Sequence, residues 1–150
     1  MKTINEMEIT FKAISVNEGF ARSCIAAFCV QANPSIDEIT DIKTAVSEAV
    51  TNAVVHAYPL GDGNITIKVK LYSSGVIIEV GDNGVGIDDF DQAREPFYTT
   101  KPDEERSGMG FTVMESFMDS VSVQKNGKSG VLVKMEKVFK NIEKSSVVGM

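Results

Sequence analysis

Residues 82–86 read Asp-Asn-Gly-Val-Gly and come one residue after the mostly apolar run 76–80, which is typical of a buried strand. Two glycines in three residues let the backbone turn sharply and approach a flat ligand, where a Cβ would clash. Asn83-Gly84 is also a strong hairpin signal, but residues 87–91 lack the alternation of a returning strand. The stretch therefore favours a ligand-binding turn, in which Asp82 could accept a hydrogen bond from the exocyclic amine of adenine.

A second glycine pair, Gly108 and Gly110, stands just before a predicted helix over 110–118. Free N–H groups and the helix dipole make such an entry a natural phosphate cradle. The spacing fits neither the Walker phosphate loop nor the dinucleotide fingerprint, so a flexible helix entry remains an alternative. Lys101 and Arg106 come shortly before it and could reach outer phosphates, or could be solvated loop charges.

A polar stripe with Glu48, Asn52 and His56 runs along the longest predicted helix. Glu48 and Asn52 lie one turn apart, about 6 Å along the axis, on a face without Lys or Arg. A solvated face is the alternative, but half-buried carboxylates and amides need partners. Asn52 could supply an oxygen ligand to Mg²⁺, and Glu48 could take a proton from an attacking hydroxyl or water. His56 is more typical of a structural role.

The remaining periodicity predicts an α+β fold of one domain over 1–140, with a frayed tail over 141–150. We expect a two-layer sandwich in which about three helices cover one face of a mostly antiparallel mixed sheet. The predicted strands are 7–14, 64–72, 76–81, 120–125 and 131–138. The predicted helices are 18–31, 110–118 and a longest one from Ser35 to about Ala57. Asn17 is the predicted cap of the first helix, and Ser35 forms a capping box with Glu38 in the longest. Residues 87–106 form a long polar loop, which is typical of a lid.

Composition limits the function classes. The chain has 150 residues, 43% hydrophobic and 24% charged, with a net charge of −6. This acidity argues against direct nucleic-acid binding, and no apolar run approaches the roughly 18 residues of a membrane span. Cys24 and Cys29 are predicted to be small core hydrophobes in a reducing compartment, most simply the cytoplasm.

Taken together, these segments resemble the GHKL superfamily, whose members share the Bergerat ATP-binding fold. The closest resemblance is to the anti-sigma factor serine kinases of spore-forming bacteria. Four motifs in order carry it over residues 7–138: the N box Glu-Ala-Val-Thr-Asn-Ala-Val-Val-His at 48–56, the first glycine box at 82–86, the lid Pro-Phe-Tyr-Thr-Thr-Lys at 96–101, and the second glycine box Glu-Arg-Ser-Gly-Met-Gly-Phe at 105–111.

The resemblance implies a role for each matching residue toward ATP or ADP and Mg²⁺. Glu48 would be the general base and Asn52 the Mg²⁺ ligand, and Arg106 would assist catalysis. Asp82 would bind adenine beside Gly84 and Gly86. The residues implied at the phosphates are Thr99, Lys101, Ser107, Gly108, Met109 and Gly110. Relatives often carry Gly-Thr before the last strand, where the hydroxyl supports the adenine-binding Asp; here Ser129 would replace it.

The resemblance also implies protein partners. Such kinases inhibit a sigma factor, here of the sporulation sigma F type, act as homodimers, and phosphorylate a serine of a STAS-fold anti-anti-sigma protein. Two alternatives remain open from the residues. One is a free-standing histidine-kinase catalytic module, although the only histidine, His56, lies inside the N box. The other is a non-catalytic, ATP-gated binding protein. No membrane or direct nucleic-acid partner is expected.

Overall fold

The strands of the described residues form one five-stranded sheet. The computed structural model describes residues 3–58, 63–84, 110–127 and 129–140. Within them the strands are β1 (Asn5–Lys12), β2 (Asn64–Tyr72), β3 (Gly75–Asp82), β4 (Ser120–Lys125) and β5 (Val131–Val138). Their order in the sheet is β1-β2-β3-β5-β4. The predicted long loop 87–106 and the predicted tail 141–150 lie outside the described residues.

The sheet is antiparallel at every pairing among the described strands, so the expectation of a mixed sheet is wrong there. The hairpins β2–β3 and β4–β5 have the predicted places. β1 begins and ends two residues earlier than predicted, because its backbone pairs with β2 from Asn5 opposite Leu71 to Lys12 opposite Asn64. The alternation alone could not fix those ends.

In the described parts of the chain, three α-helices accompany the sheet: α1 (Val16–Cys29), α2 (Ile36–Asn52) and α3 (Gly110–Phe117). The predicted capping box of α2 is confirmed, with Ser35 and Glu38 each accepting the other's backbone N–H. Asn17 does not cap α1, which already begins at Val16; its amide donates instead to the carbonyl of Lys12 at 2.9 Å. A 3₁₀ turn, Val30–Ala32, extends α1.

The helices cover one face of the sheet, as the alternating burial along β2 shows. Side chains from α1, α2 and the inner positions of the strands form a single buried cluster, among them Ile25, Ile42, Val46, Val50, Ile67, Leu71 and Ile78. Burying each such side chain stabilises the fold by about 1.5–3 kcal/mol. Cys29 belongs to this core, as predicted, and burial raises the pKa of its thiol to about 12. Cys24 is half-buried, and both cysteines are free.

The C-terminal end of the long helix departs from the prediction. The α-helix ends at Asn52 and the chain continues as a π-helix, Ala53–Ala57. A π turn is wider than an α turn, so the spacing of four that would place His56 directly below Asn52 does not hold. Among the helices of the described chain, none is long and apolar enough to cross a membrane.

Candidate functional site

Asp82 ends β3, next to the end of the long helix, and the described residues donate hydrogen bonds to only one of its two carboxylate oxygens. The residue is 5% exposed. Its Oδ1 accepts the N–H groups of Gly84, at 2.9 Å, and Val131, at 3.2 Å. Its Oδ2 accepts no hydrogen bond from any described residue. A buried carboxylate oxygen with that remaining capacity is suited to an incoming N–H donor.

The environment of Asp82 also shifts the pKa of its carboxyl. Burial raises the pKa of its carboxyl above the ordinary value, and the two N–H donors on Oδ1 only partly oppose that shift. The ionised group is therefore under-solvated. A donor that reaches Oδ2 would supply part of the missing stabilisation.

The turn that leads into β5 holds Asp82 from the other side. Asn126 Nδ2 donates to the backbone carbonyl of Asp82 at 2.8 Å. Gly130 has a φ of +88°, and a Cβ there would overlap that same carbonyl. Neither residue is among the predicted site residues. The signal was present in Asn126 to Gly130, since glycine directly before a strand often marks a close backbone approach.

Ser129 does not support the Asp82 carboxylate, so that expectation is wrong. Its hydroxyl donates instead to the backbone carbonyls of Asn83 and Gly84, one and two residues further on. The residue after Gly130 is Val131, which contributes its backbone N–H but has no hydroxyl. Backbone donors thus replace the side chain that the resemblance led us to expect.

Gly84 lies against the end of the π-helix. A Cβ on residue 84 would overlap the carbonyl of Ala57, so only glycine fits this backbone path. The predicted need for a small residue at this turn is therefore explained by the protein itself as well as by a ligand. The turn 82–84 and the helix end are packed as neighbours.

Asn52 lies against the start of α3. A Cβ on Gly110 would lie 2.7 Å from Asn52 Nδ2 and 2.8 Å from Oδ1. The N box and the end of the second glycine box, 58 residues apart in sequence, are therefore adjacent in space. Glu48 is half-buried one turn before Asn52 on α2.

The donors present fit a magnesium ion that arrives with a nucleotide. Asn52 offers one amide oxygen, and within the described ranges no three His, Cys, Asp or Glu side chains form a metal cluster. Mg²⁺ commonly keeps several waters and takes phosphate oxygens, so one or two protein ligands suffice.

Seven of the predicted site residues lie outside the described residues: Gly86, Thr99, Lys101, Arg106, Ser107, Gly108 and Met109. Their roles remain predictions. The described part of the site contains the predicted base-binding acid, its glycine turn, the N-box pair and the start of α3.

Known proteins resemble this chain over most of its length. The model of the histidine kinase-like ATPase domain matches residues 12–137. The chain belongs to this family. Within it, the chain is 52% identical over 134 residues to the anti-sigma F factor of Bacillus licheniformis, covering 89% of this chain and 92% of the relative. It is 49% identical to the anti-sigma F factor of Clostridium kluyveri, covering 92% and 97%.

Solved structures share the fold. The structure of the RsbU and RsbW domains of Rv1364c from Mycobacterium tuberculosis matches with a TM-score of 0.63 and 18% identity, covering 89% of this chain and 32% of that one. The nucleotide-free catalytic domain of histidine kinase ThkA matches with a TM-score of 0.55 and 16% identity, covering 89% and 97%. The GHKL resemblance and the α+β fold are thus confirmed.

Proposed function

We propose that the chain is an anti-sigma factor that is also an ATP-dependent protein serine kinase. The observation that carries the proposal is the carboxylate of Asp82, which is buried at the end of β3 and whose Oδ2 accepts no hydrogen bond from the part of the chain that the structure describes. The names of the relatives at about 50% identity, anti-sigma F factor, support the regulatory half of it. The histidine kinase-like ATPase family supports nucleotide use.

The nucleotide would extend from the Asp82 turn to the contact between Asn52 and Gly110. Its adenine amine would donate to Asp82 Oδ2, beside Gly84 and Gly86. Its phosphates would lie toward Asn52 and Gly110, whose proximity supports a joint role at one end of the ligand. We assign Thr99, Lys101, Ser107, Gly108 and Met109 to the phosphates as well. One ATP-binding domain would occupy residues 1–140.

Glu48 would act as the general base. The serine hydroxyl oxygen of the acceptor protein would attack the γ-phosphorus in line, the bond to the bridging oxygen would break, and ADP would leave. The hydroxyl proton would pass to the carboxylate of Glu48. Arg106 would neutralise charge that develops on the transferred group. Mg²⁺, held by Asn52, would supply charge neutralisation at the phosphates.

The proposed partners follow from the likeness to anti-sigma F factors. The inhibited protein would be a sigma factor of the sporulation F type, and the phosphate acceptor a STAS-fold anti-anti-sigma protein. The kinase would work as a homodimer in the cytoplasm. The likeness to histidine kinase ThkA, at 16% identity, concerns the fold and does not favour phosphohistidine chemistry.

The test is a transfer assay with labelled ATP and Mg²⁺ against a panel of STAS-fold proteins, followed by phosphosite mapping. The same mixture with EDTA is the control. Phosphoserine on one STAS protein, absent with EDTA, is the expected result. Phosphohistidine would replace the proposal with the histidine-kinase alternative. ATP binding without any transfer would favour the non-catalytic alternative, and co-elution with an F-type sigma factor would test the regulatory half separately.

A further inference from the structure

Tyr58 follows the π-helix directly and links two segments of the sheet end. Its hydroxyl donates to the carbonyl of Asn64, the first residue of β2, at 2.7 Å. The same hydroxyl accepts the backbone N–H of Asn83 at 2.8 Å. One oxygen therefore ties the end of the long helix to both the start of β2 and the residue after Asp82.

The ring of Tyr58 is held in place by its neighbours. A Cβ on Gly63 would overlap the ring, so the backbone of Gly63 approaches it closely. The preceding residue, Ala57, packs against Gly84 in the same turn. Ala57 and Tyr58 together thus support residues 83 and 84 from the helix side, whereas Asn126 and Ser129 hold the turn from the β5 side.

The position of this turn determines where Asp82 directs its carboxylate. Gly84 N–H is one of the two donors on Oδ1, so a shift of the turn moves the donor that orients the carboxylate. Oδ2, the oxygen left for a ligand, moves with it. The N–H of Asn83, which donates to the Tyr58 hydroxyl, lies between Asp82 and Gly84 at an exposed residue that water can also reach.

We propose that Tyr58 is a positioning residue for base recognition: its hydroxyl fixes the turn 82–84 and thereby aims Asp82 Oδ2 at the adenine amine. The inference rests on the proposed function, because it assigns to Tyr58 a role in the same nucleotide site. Tyr58 itself need not touch the nucleotide. Its effect should therefore fall on selection of the base and leave the chemistry of transfer intact.

The test compares Tyr58→Phe, which removes only the hydroxyl, with Tyr72→Phe at the opposite end of β2 as the matched control. Titration calorimetry with ADP and with GDP gives the affinity and the base preference. We expect ADP to bind Tyr58→Phe about fivefold more weakly, as for one lost orienting hydrogen bond, with a smaller change for GDP. The KM for ATP should rise while kcat stays constant. Tyr72→Phe should match wild type in all of these.

The outcomes separate the two proposals. If wild type fails to bind ADP, the proposed function is wrong. If wild type binds ADP and Tyr58→Phe binds it equally well, only the role of Tyr58 is overturned. Equal weakening for ADP and GDP, or a lower melting temperature with an unchanged ADP/GDP ratio, would also overturn it, because a purely structural residue has no reason to discriminate between bases.

Discussion

Two buried carboxylates, Glu38 and Asp82, differ in how many of their oxygens accept hydrogen bonds from the described residues. Glu38, in the first turn of α2, is 8% exposed, and Asp82, at the end of β3, is 5% exposed. Both oxygens of Glu38 are used: Oε1 accepts the N–H of Ser35 and Oε2 that of Lys140, each at 2.8 Å. Asp82 uses Oδ1 twice, and its Oδ2 accepts nothing from the described residues.

The pKa directions follow the same division. Burial acts to raise the pKa of Glu38, but the N–H groups of Ser35 and Lys140, the Ser35 hydroxyl and the nearby Lys137 charge hold it below its ordinary value. Burial prevails at Asp82 and raises its pKa. Glu38, with both oxygens hydrogen-bonded, stabilises the fold, whereas Asp82, whose Oδ2 has no donor among the described residues, is available for a ligand.

Glu48→Gln should produce the largest effect and separate chemistry from base recognition. The amide cannot take the acceptor's proton, so we expect phosphoryl transfer to fall about 10²- to 10⁴-fold. ATP affinity should change little, because Asp82 and its turn are untouched. Single-turnover transfer with labelled ATP, together with calorimetry, measures both. Undiminished transfer would remove Glu48 as the base.

Gly130→Ala should have the next largest effect, because it disturbs the backbone around Asp82 without changing the carboxylate. The new Cβ would overlap the Asp82 carbonyl, and the alanine would also have to adopt a left-handed φ. We expect a loss of about 3 kcal/mol in the free energy of unfolding, with weaker ADP binding. Urea denaturation measures the first quantity.

Gly127→Ala is the matched control for Gly130→Ala. Residue 127 also has a positive φ, +68°, but a Cβ there meets nothing within 4 Å. Only the backbone conformation is penalised, so a loss of about 1 kcal/mol is expected, with ADP affinity unchanged. Equal losses at the two glycines would show that the close approach at Asp82 contributes nothing.

The pH dependence should show the smallest effect, with opposite signs at the two carboxylates. The folded pKa of Glu38 is lowered, so its stabilising contribution is present above the unfolded pKa and is lost as pH falls through the folded pKa. The folded pKa of Asp82 is raised, so protonation on acidification relieves a cost of folding.

Nucleotide affinity provides the measurement of that difference. The adenine amine needs an ionised acceptor at Asp82, so ADP affinity should decline on acidification from a higher pH than an ordinary Asp would give. Glu38→Gln should leave this profile unchanged while flattening the acid loss of stability. A binding profile that follows the ordinary Asp pKa would contradict the assignment of Asp82.

The sequence predicted what depends on local periodicity. The capping box at Ser35, the bounds of β2, β4 and β5, and the burial of Cys29 all follow from patterns within one element. No local pattern predicts the π turn after Asn52, where Ala57 contacts Gly84, a residue distant in sequence. The ends of β1 likewise depend on its pairing with β2.

The same distinction applies to the site. Helical spacing suffices to place Glu48 and Asn52 together, and a strand end suffices to suggest Asp82. The supports of Asp82 come from Asn126 and Val131, 44 and 49 residues later, and no local pattern announces such contacts. Ser129 shows the same limit, because its hydroxyl donates to backbone carbonyls and not to the Asp82 carboxylate, which a motif comparison does not show.

The most direct test of the central claim is ADP and GDP binding to Asp82→Asn, with Glu38→Gln as the matched buried carboxylate. If Asp82 Oδ2 receives the adenine amine, the substitution should weaken ADP binding about 100-fold and remove the preference for ADP over GDP. Glu38→Gln should lower the melting temperature and leave both affinities within twofold of wild type. ADP binding to Asp82→Asn with wild-type affinity and preference would contradict the account.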